Sequence, residues 1–270
     1  MSSEILQKIE ELYKSNGLNC CDEELIHEAC IHKNECWTEA SIKERGNEIN
    51  KMPLPYIGDK FKGDLLCIGL NFNDYGGKKA HYNLIDDEAN GVKRLLTDGK
   101  IKINFNLARE TYAGTFLFHR MSVYANIILG YYKYEDDKIL SLDDRILYYS
   151  KDYLAKIYSE LIFLNAIKCS PKYKNSEPFE PMYVNCFNNI LCNEIKIIKP
   201  KNILVFHKDV SGYIKIKFGC TNNIRKQNME YYKTSIENTP VDVYRVVHPS
   251  RGNSVKLITE LHDLKQEVSL

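Results

Sequence analysis

Four short segments that read as strands, three of them apolar runs, constrain this chain more than any other feature. They are Asp64-Leu-Leu-Cys-Ile-Gly-Leu-Asn71, Leu161 to Ile167, Asn202-Ile-Leu-Val-Phe206 and Val241-Asp-Val-Tyr-Arg-Val-Val247. Short apolar runs bounded by turn or polar residues fit strands buried in a parallel sheet. Helical patterns lie between them. Residues 127–161 are mainly helical by pattern, and Met182 to Ile198 has apolar spacing suited to a helix that stops before Pro200. The order β-α-β predicts an α/β fold, a three-layer α/β/α arrangement around a central, mainly parallel four-stranded sheet. At the N-terminus Ile5, Leu6, Ile9 and Leu12 mark a helix over Ser3 to Lys14, and a second helix is expected from Glu23. A terminal helix is expected from about Ser254.

With 270 residues and 44% hydrophobic content the chain can bury a full core. There is no internal repeat, low-complexity tract or Pro/Gly/Ser linker, so residues 1–270 read as a single domain. Within it, 1–52 is a helical N-terminal segment, 53–254 the core and 255–270 the C-terminal helix. No stretch approaches the ~20 apolar residues that span a bilayer, and the first residues are amphipathic rather than signal-like. The expectation is a cytoplasmic protein with no membrane partner. A formal charge of +1 exerts no global pull on nucleic acid, so DNA binding would need a local basic groove. Nine cysteines in a reducing compartment argue for metal or cluster binding before disulfides.

Three strand ends carry polar side chains to one edge of such a sheet: Asn71, Asn165 and His248. That edge is where α/β sheets place ligands. Singly, each has a plain reading, since Asn is a turn former and His-Pro-Ser a plausible loop. Together they form an active-site layout. Gly69-Leu70-Asn71 resembles the Gly-x-Asn motif of the mismatch-specific and single-strand-selective uracil glycosylases. His248-Pro249-Ser250 resembles the second catalytic motif of the uracil-DNA glycosylase superfamily. The stretch Phe163-Leu-Asn-Ala-Ile-Lys-Cys169, with Pro171, Cys186 and Ile197-Ile-Lys-Pro200, resembles the iron–sulfur, thermophile-type members. The resemblance runs from about Pro53 to Ser254, with long unmatched stretches between the motifs.

The resemblance implies a glycosylase that hydrolyses the bond between a flipped-out pyrimidine and its deoxyribose, leaving an abasic site. His248 would donate a hydrogen bond to the departing base's oxygen. Asn71 would hold the attacking water, although an amide cannot take the proton well, and Asp74 is an alternative carboxylate. Asn165 would read the base edge. One amide orientation suits uracil and the other cytosine. Tyr112 best matches the family's stacking aromatic and Phe116 comes next, with a plain core role open for both. Phe72 and Asn73 would line the base pocket. Relatives that exclude 5-substituted pyrimidines place a Tyr where this chain has Asn73, so the gate looks open to a C5-modified cytosine. The long segment from Asp74 to Thr111 would enlarge the pocket, touch phosphate, or form a solvated surface insertion. With no lysine in the two matched catalytic motifs, the reaction would be monofunctional.

In the same family Cys169 and Cys186 occupy the places of two iron–sulfur ligands. Cys30 and Cys36 are the candidates for the other two, with Cys20 and Cys21 as competitors and no Cys-x-x-Cys present. Four thiolates suit a structural [4Fe–4S] cluster, or else zinc. Ser250 and Arg251 lie where relatives fill the gap left by the flipped base. Lys168, in a basic loop, is a candidate phosphate contact. The partner would be DNA, single- or double-stranded. Two other readings stand beside uracil repair: excision of hydroxymethylated or glucosylated cytosine in defence against phage DNA, and an inactive DNA-binding module of the same fold.

Overall fold

The computed structural model describes residues 2–21, 24–26, 30–45, 49–50, 52–53, 55–70, 121–131, 156–171, 178–248 and 254–269. Helix α1 spans Ser2–Ser15. Its Ile5, Ile9 and Tyr13, spaced by one turn each, are buried, as the amphipathic pattern requires. Strands β1 (Asn19–Cys21) and β2 (Glu24–Ile26) follow, and then the short helices α2 (Lys33–Cys36) and α3 (Glu39–Arg45). The helix expected from Glu23 is therefore absent. β2 pairs antiparallel with β1 and, on its other side, with Met52–Pro53, so neighbouring strands satisfy backbone groups that a helix would have satisfied internally.

Among the described residues the main sheet is mixed and has seven strands, not four mainly parallel ones. Its middle consists of the four anticipated runs, Leu161–Asn165, Leu65–Gly69, Asn202–Val205 and Thr239–Val246, side by side in that order and parallel throughout. Tyr56–Ile57 adds antiparallel beside Leu161–Asn165. At the far end Met229–Ile236 pairs antiparallel with Thr239–Val246, and Thr221–Arg225 forms the edge. The hairpin between Ile236 and Thr239 turns on Glu237 and Asn238, both at positive φ (49° and 66°). Two consecutive left-handed residues make the primed turn whose twist suits a two-residue hairpin.

Side chains alternate across this sheet, and each face carries its own apolar cluster. Leu66, Ile68, Ile162, Leu164, Ile203 and Val205 point to the side of α1 and of the helical residues 180–198. Leu65, Cys67, Leu161, Leu204, Tyr244 and Val246 point to the side of helical residues 121–128 and of the terminal helix Ser254–Ser269. Period-two burial with helices on both sides makes an α/β arrangement in which both sheet faces are covered. The helix expected over Met182 to Ile198 is present as Glu180–Asn185, a π-helical stretch Cys186–Leu191 and Cys192–Ile198. It ends on Lys199 in the left-handed conformation (φ 50°), one residue before Pro200. Of the helix expected over residues 127–161, 127–128 end a helical stretch that begins at 121 and 156–159 are helical, 129–131 and 160 are turn or coil, 161 begins a strand, and 132–155 lie outside the described residues. Among the described residues no helix is long and apolar enough to cross a membrane.

Candidate functional site

Parallel strands all end on the same side, so the four central strands deliver their C-terminal residues to one edge. Gly69 pairs with Asn165 in register, and the pairing continues past the strand ends through Ala166 N–H to Gly69 O (2.9 Å) and Ile167 N–H to Leu70 O (2.8 Å). Phe206 N–H reaches Ile68 O at 3.1 Å, which fixes the end of the neighbouring strand. Val247, just past Thr239–Val246, donates to Asn228 O at 3.1 Å, and the half-buried His248 follows it. Thus Gly69, Asn165 and His248 come to one edge of the sheet, while Asn71, two residues past Gly69, lies outside the described residues.

Gly69 leaves room for the side chain that lies against it. A β-carbon there would sit 2.6 Å from the Asn165 side-chain oxygen, close enough that the amide would have to shift. The Asn165 amide therefore rests across the glycine backbone, at the mouth of the strand that leads to Asn71. Asn71, Phe72, Asn73, Tyr112, Phe116, Ser250 and Arg251 lie outside the described residues. One residue at the edge was missed by the sequence reading. His207 ends the strand Asn202–Val205 and caps the helix Lys208–Phe218, its Nδ1 accepting the Asp209 N–H at 3.3 Å. It stands between the Gly69 and His248 strand ends, and the rule that picked out Asn71 and His248, a polar residue closing an apolar run, would have found it.

The four cysteines singled out from the sequence meet in space. Cys30, Cys36, Cys169 and Cys186 line one cavity together with Leu18 and Trp37. All four are free thiols. Each sulfur has an N–H donor: Cys30 from the His32 backbone, Cys36 from the Asn185 amide at 3.5 Å, Cys169 from the Trp37 indole and Cys186 from the Lys168 backbone. Burial pushes all four thiols up, Cys186 to about 12, so none of them is a free thiolate nucleophile. N–H donors aimed at sulfur favour the anion, as does the Lys168 charge at Cys186, whereas burial opposes it more strongly, and a bound metal centre would resolve that conflict. Among the described residues no three His, Cys, Asp or Glu side chains close into the coordination shell of a single ion. Four cysteines around one cavity are a donor set of the kind that an iron–sulfur group or zinc takes.

Lys168 is placed differently from its expected role at a phosphate. It is buried, and its Nζ lies 2.7 Å from Oε1 of the fully buried Glu194. It also donates to the backbone carbonyl of Asn165. An ammonium committed to two buried acceptors is not available to DNA.

No family model matches the chain, and no curated protein matches it in sequence.

Proposed function

We propose that this chain is a monofunctional DNA glycosylase that cleaves the N-glycosidic bond of a flipped-out pyrimidine. The observation that carries the reading is the shared sheet edge: the Asn165 amide laid across Gly69, beside the start of the Gly-x-Asn turn, with His248 two strands further along. An amide offers one acceptor and two donors, enough to pair with the polar edge of one pyrimidine. In the reaction the C1′–N bond breaks and its electron pair leaves with the base, whose exocyclic carbonyl oxygen takes up the charge. His248 donates a hydrogen bond to that oxygen. A water positioned by Asn71 adds its oxygen to C1′ of the oxocarbenium-like sugar and loses its proton to solvent, leaving an abasic site. Lys168, beside Asn165, is held by Glu194 and is in no position to form a Schiff base, which favours hydrolysis by water.

Cys30, Cys36, Cys169 and Cys186 would hold a [4Fe–4S] group, which when bound fastens the N-terminal segment to the loop after Asn165 and takes no part in bond cleavage. Ser250 and Arg251 are proposed to enter the gap left by the flipped base. Asn73, where relatives carry a bulkier gate, favours a second reading within the same chemistry, a C5-modified cytosine as substrate.

The test is release of free base from single- and double-stranded oligonucleotides carrying uracil, thymine opposite guanine, 5-hydroxymethylcytosine or its glucosylated form. Release from uracil alone supports a repair enzyme. Release only from the modified cytosines means that Asn165 reads a cytosine edge. No release from any of them leaves a DNA-binding module and sinks the enzyme reading.

The close approach at Gly69 gives a sharper check. Gly69→Ala forces the Asn165 amide aside, and a displacement of about 1 Å at a substrate-positioning group lowers turnover on the order of 10²-fold. The expected loss of stability is only ~1–3 kcal/mol, typical of overpacking. A Gly69→Ala protein that releases base at the wild-type rate would show that the amide does not read the base.

A further inference from the structure

Lys168 lies between the base-reading edge and the cysteine cavity and touches both. Its side chain turns back three residues to the carbonyl of Asn165, while its own peptide N–H points to the sulfur of Cys186. Glu194, from Cys192–Ile198, holds the ammonium at 2.7 Å and also accepts the hydroxyl of Tyr13 from α1. The Tyr13 ring faces the same ammonium, its centroid 5.5 Å from Nζ. A buried ion pair adds little that apolar packing could not supply, because desolvation offsets most of the attraction. What it does supply is a donor fixed in space. Here that donor is aimed at the main chain of the residue whose amide rests across Gly69.

We propose that Lys168 is a positioning residue for base recognition: clamped by Glu194, it fixes the Asn165 main chain so that the side-chain amide is presented to the flipped base. The proposal rests on the glycosylase reading. It assigns selectivity to a residue that does not touch DNA.

The experiment compares wild-type protein with Lys168→Met and with the double variant Lys168→Met/Glu194→Gln. Binding is measured to an oligonucleotide carrying 2′-fluoro-2′-deoxyuridine, or 2′-fluorinated 5-hydroxymethyldeoxycytidine where the base-release test selects that base, either of which resists cleavage, and to the same oligonucleotide with a tetrahydrofuran abasic mimic. The readout is the ratio of the two Kd values. Removing one charge-assisted hydrogen bond predicts that this preference for the base falls about tenfold in both variants. The double variant leaves no buried unpaired charge, so its Tm returns towards that of the wild type. Selectivity that stays low while Tm recovers supports positioning. Selectivity that recovers together with Tm, or that never falls, overturns it and leaves a purely structural ion pair. A wild-type protein that shows no preference for the base overturns the glycosylase reading itself, and this proposal with it.

Discussion

Replacing Cys186 with alanine is expected to remove the bound metal from anaerobically purified protein and to lower its melting temperature on the order of 10 °C. The wild-type chain should carry about four irons and four sulfides, the content of one cubane cluster. Cys186 is a buried wall of the cavity shared with Cys30, Cys36 and Cys169, and the Lys168 peptide N–H is aimed at its sulfur. The residues it joins are far apart in sequence: Cys30 and Cys36 belong to the N-terminal segment, Cys169 follows the strand that ends at Asn165, and Cys186 opens the π-helical stretch. A centre bound to all four cross-links these segments in the folded state and scarcely at all in the unfolded one, so its binding energy becomes folding energy. Loss of several kcal/mol, at about 2–4 °C per kcal/mol for a chain of this class, gives the stated drop. Cys67→Ala is the control. Cys67 is equally buried but belongs to the apolar cluster on the opposite sheet face, so its removal should cost packing energy and leave the metal in place. Iron and sulfide analysis with thermal melts decides the matter: wild-type protein without metal, and a Cys186→Ala melt no lower than that of Cys67→Ala, would reduce the four thiols to ordinary core.

The parts legible in the sequence were those set by local pattern. Three of the four central strands are nearly continuous apolar runs and the fourth, Thr239–Val246, is apolar from Val241 apart from Asp242 and Arg245, so burial on both faces gives a signal that a linear reading can detect. The added strands are of another kind. Thr221–Arg225 is a polar edge strand, and Met229–Ile236 is rich in tyrosine and charge, so neither has the apolar continuity of a central strand. The turn joining the last hairpin is Glu237-Asn238, without the glycine that would have marked it. The failure at Glu23 is of the same origin. β2 exists because two partners pair with it, one of them 27 residues away, and no local propensity records that. At the site, residue types and strand ends were readable, but partners were not. Lys168 looked like one more surface lysine in a basic loop, because nothing in its neighbourhood indicated that Glu194 would arrive from a helix 26 positions later. The cysteine pairings were suggested by resemblance, and only the packing of α2 against the helix beginning at Glu180 brings Cys36 and Cys186 to one cavity.

The remaining large effect is expected at His248. His248→Ala should lower kcat for base release by about 10²–10³-fold, the scale of losing one oxyanion donor, while leaving KM and the melting temperature nearly unchanged. In the ground state the pyrimidine oxygen is a neutral carbonyl and gains little from a donor that water can replace. As the C1′–N bond lengthens, that oxygen becomes anionic, and a donor held at the end of a sheet needs no reorganisation to meet it. His248 stands one residue past Val247, whose own N–H is bonded to Asn228 O, so the imidazole hangs from a main chain fixed by the adjoining turn. Half-buried and beyond the last strand residue, it is not part of either apolar cluster, which is why the fold should tolerate its truncation. Single-turnover rates at saturating oligonucleotide measure the chemical step directly. A fall in rate with unchanged binding assigns His248 to the transition state. An equal loss in KM with kcat intact would make it a ground-state DNA contact, and the departing base's charge would then have to be met elsewhere, with His207 at the neighbouring strand end as the next residue to remove.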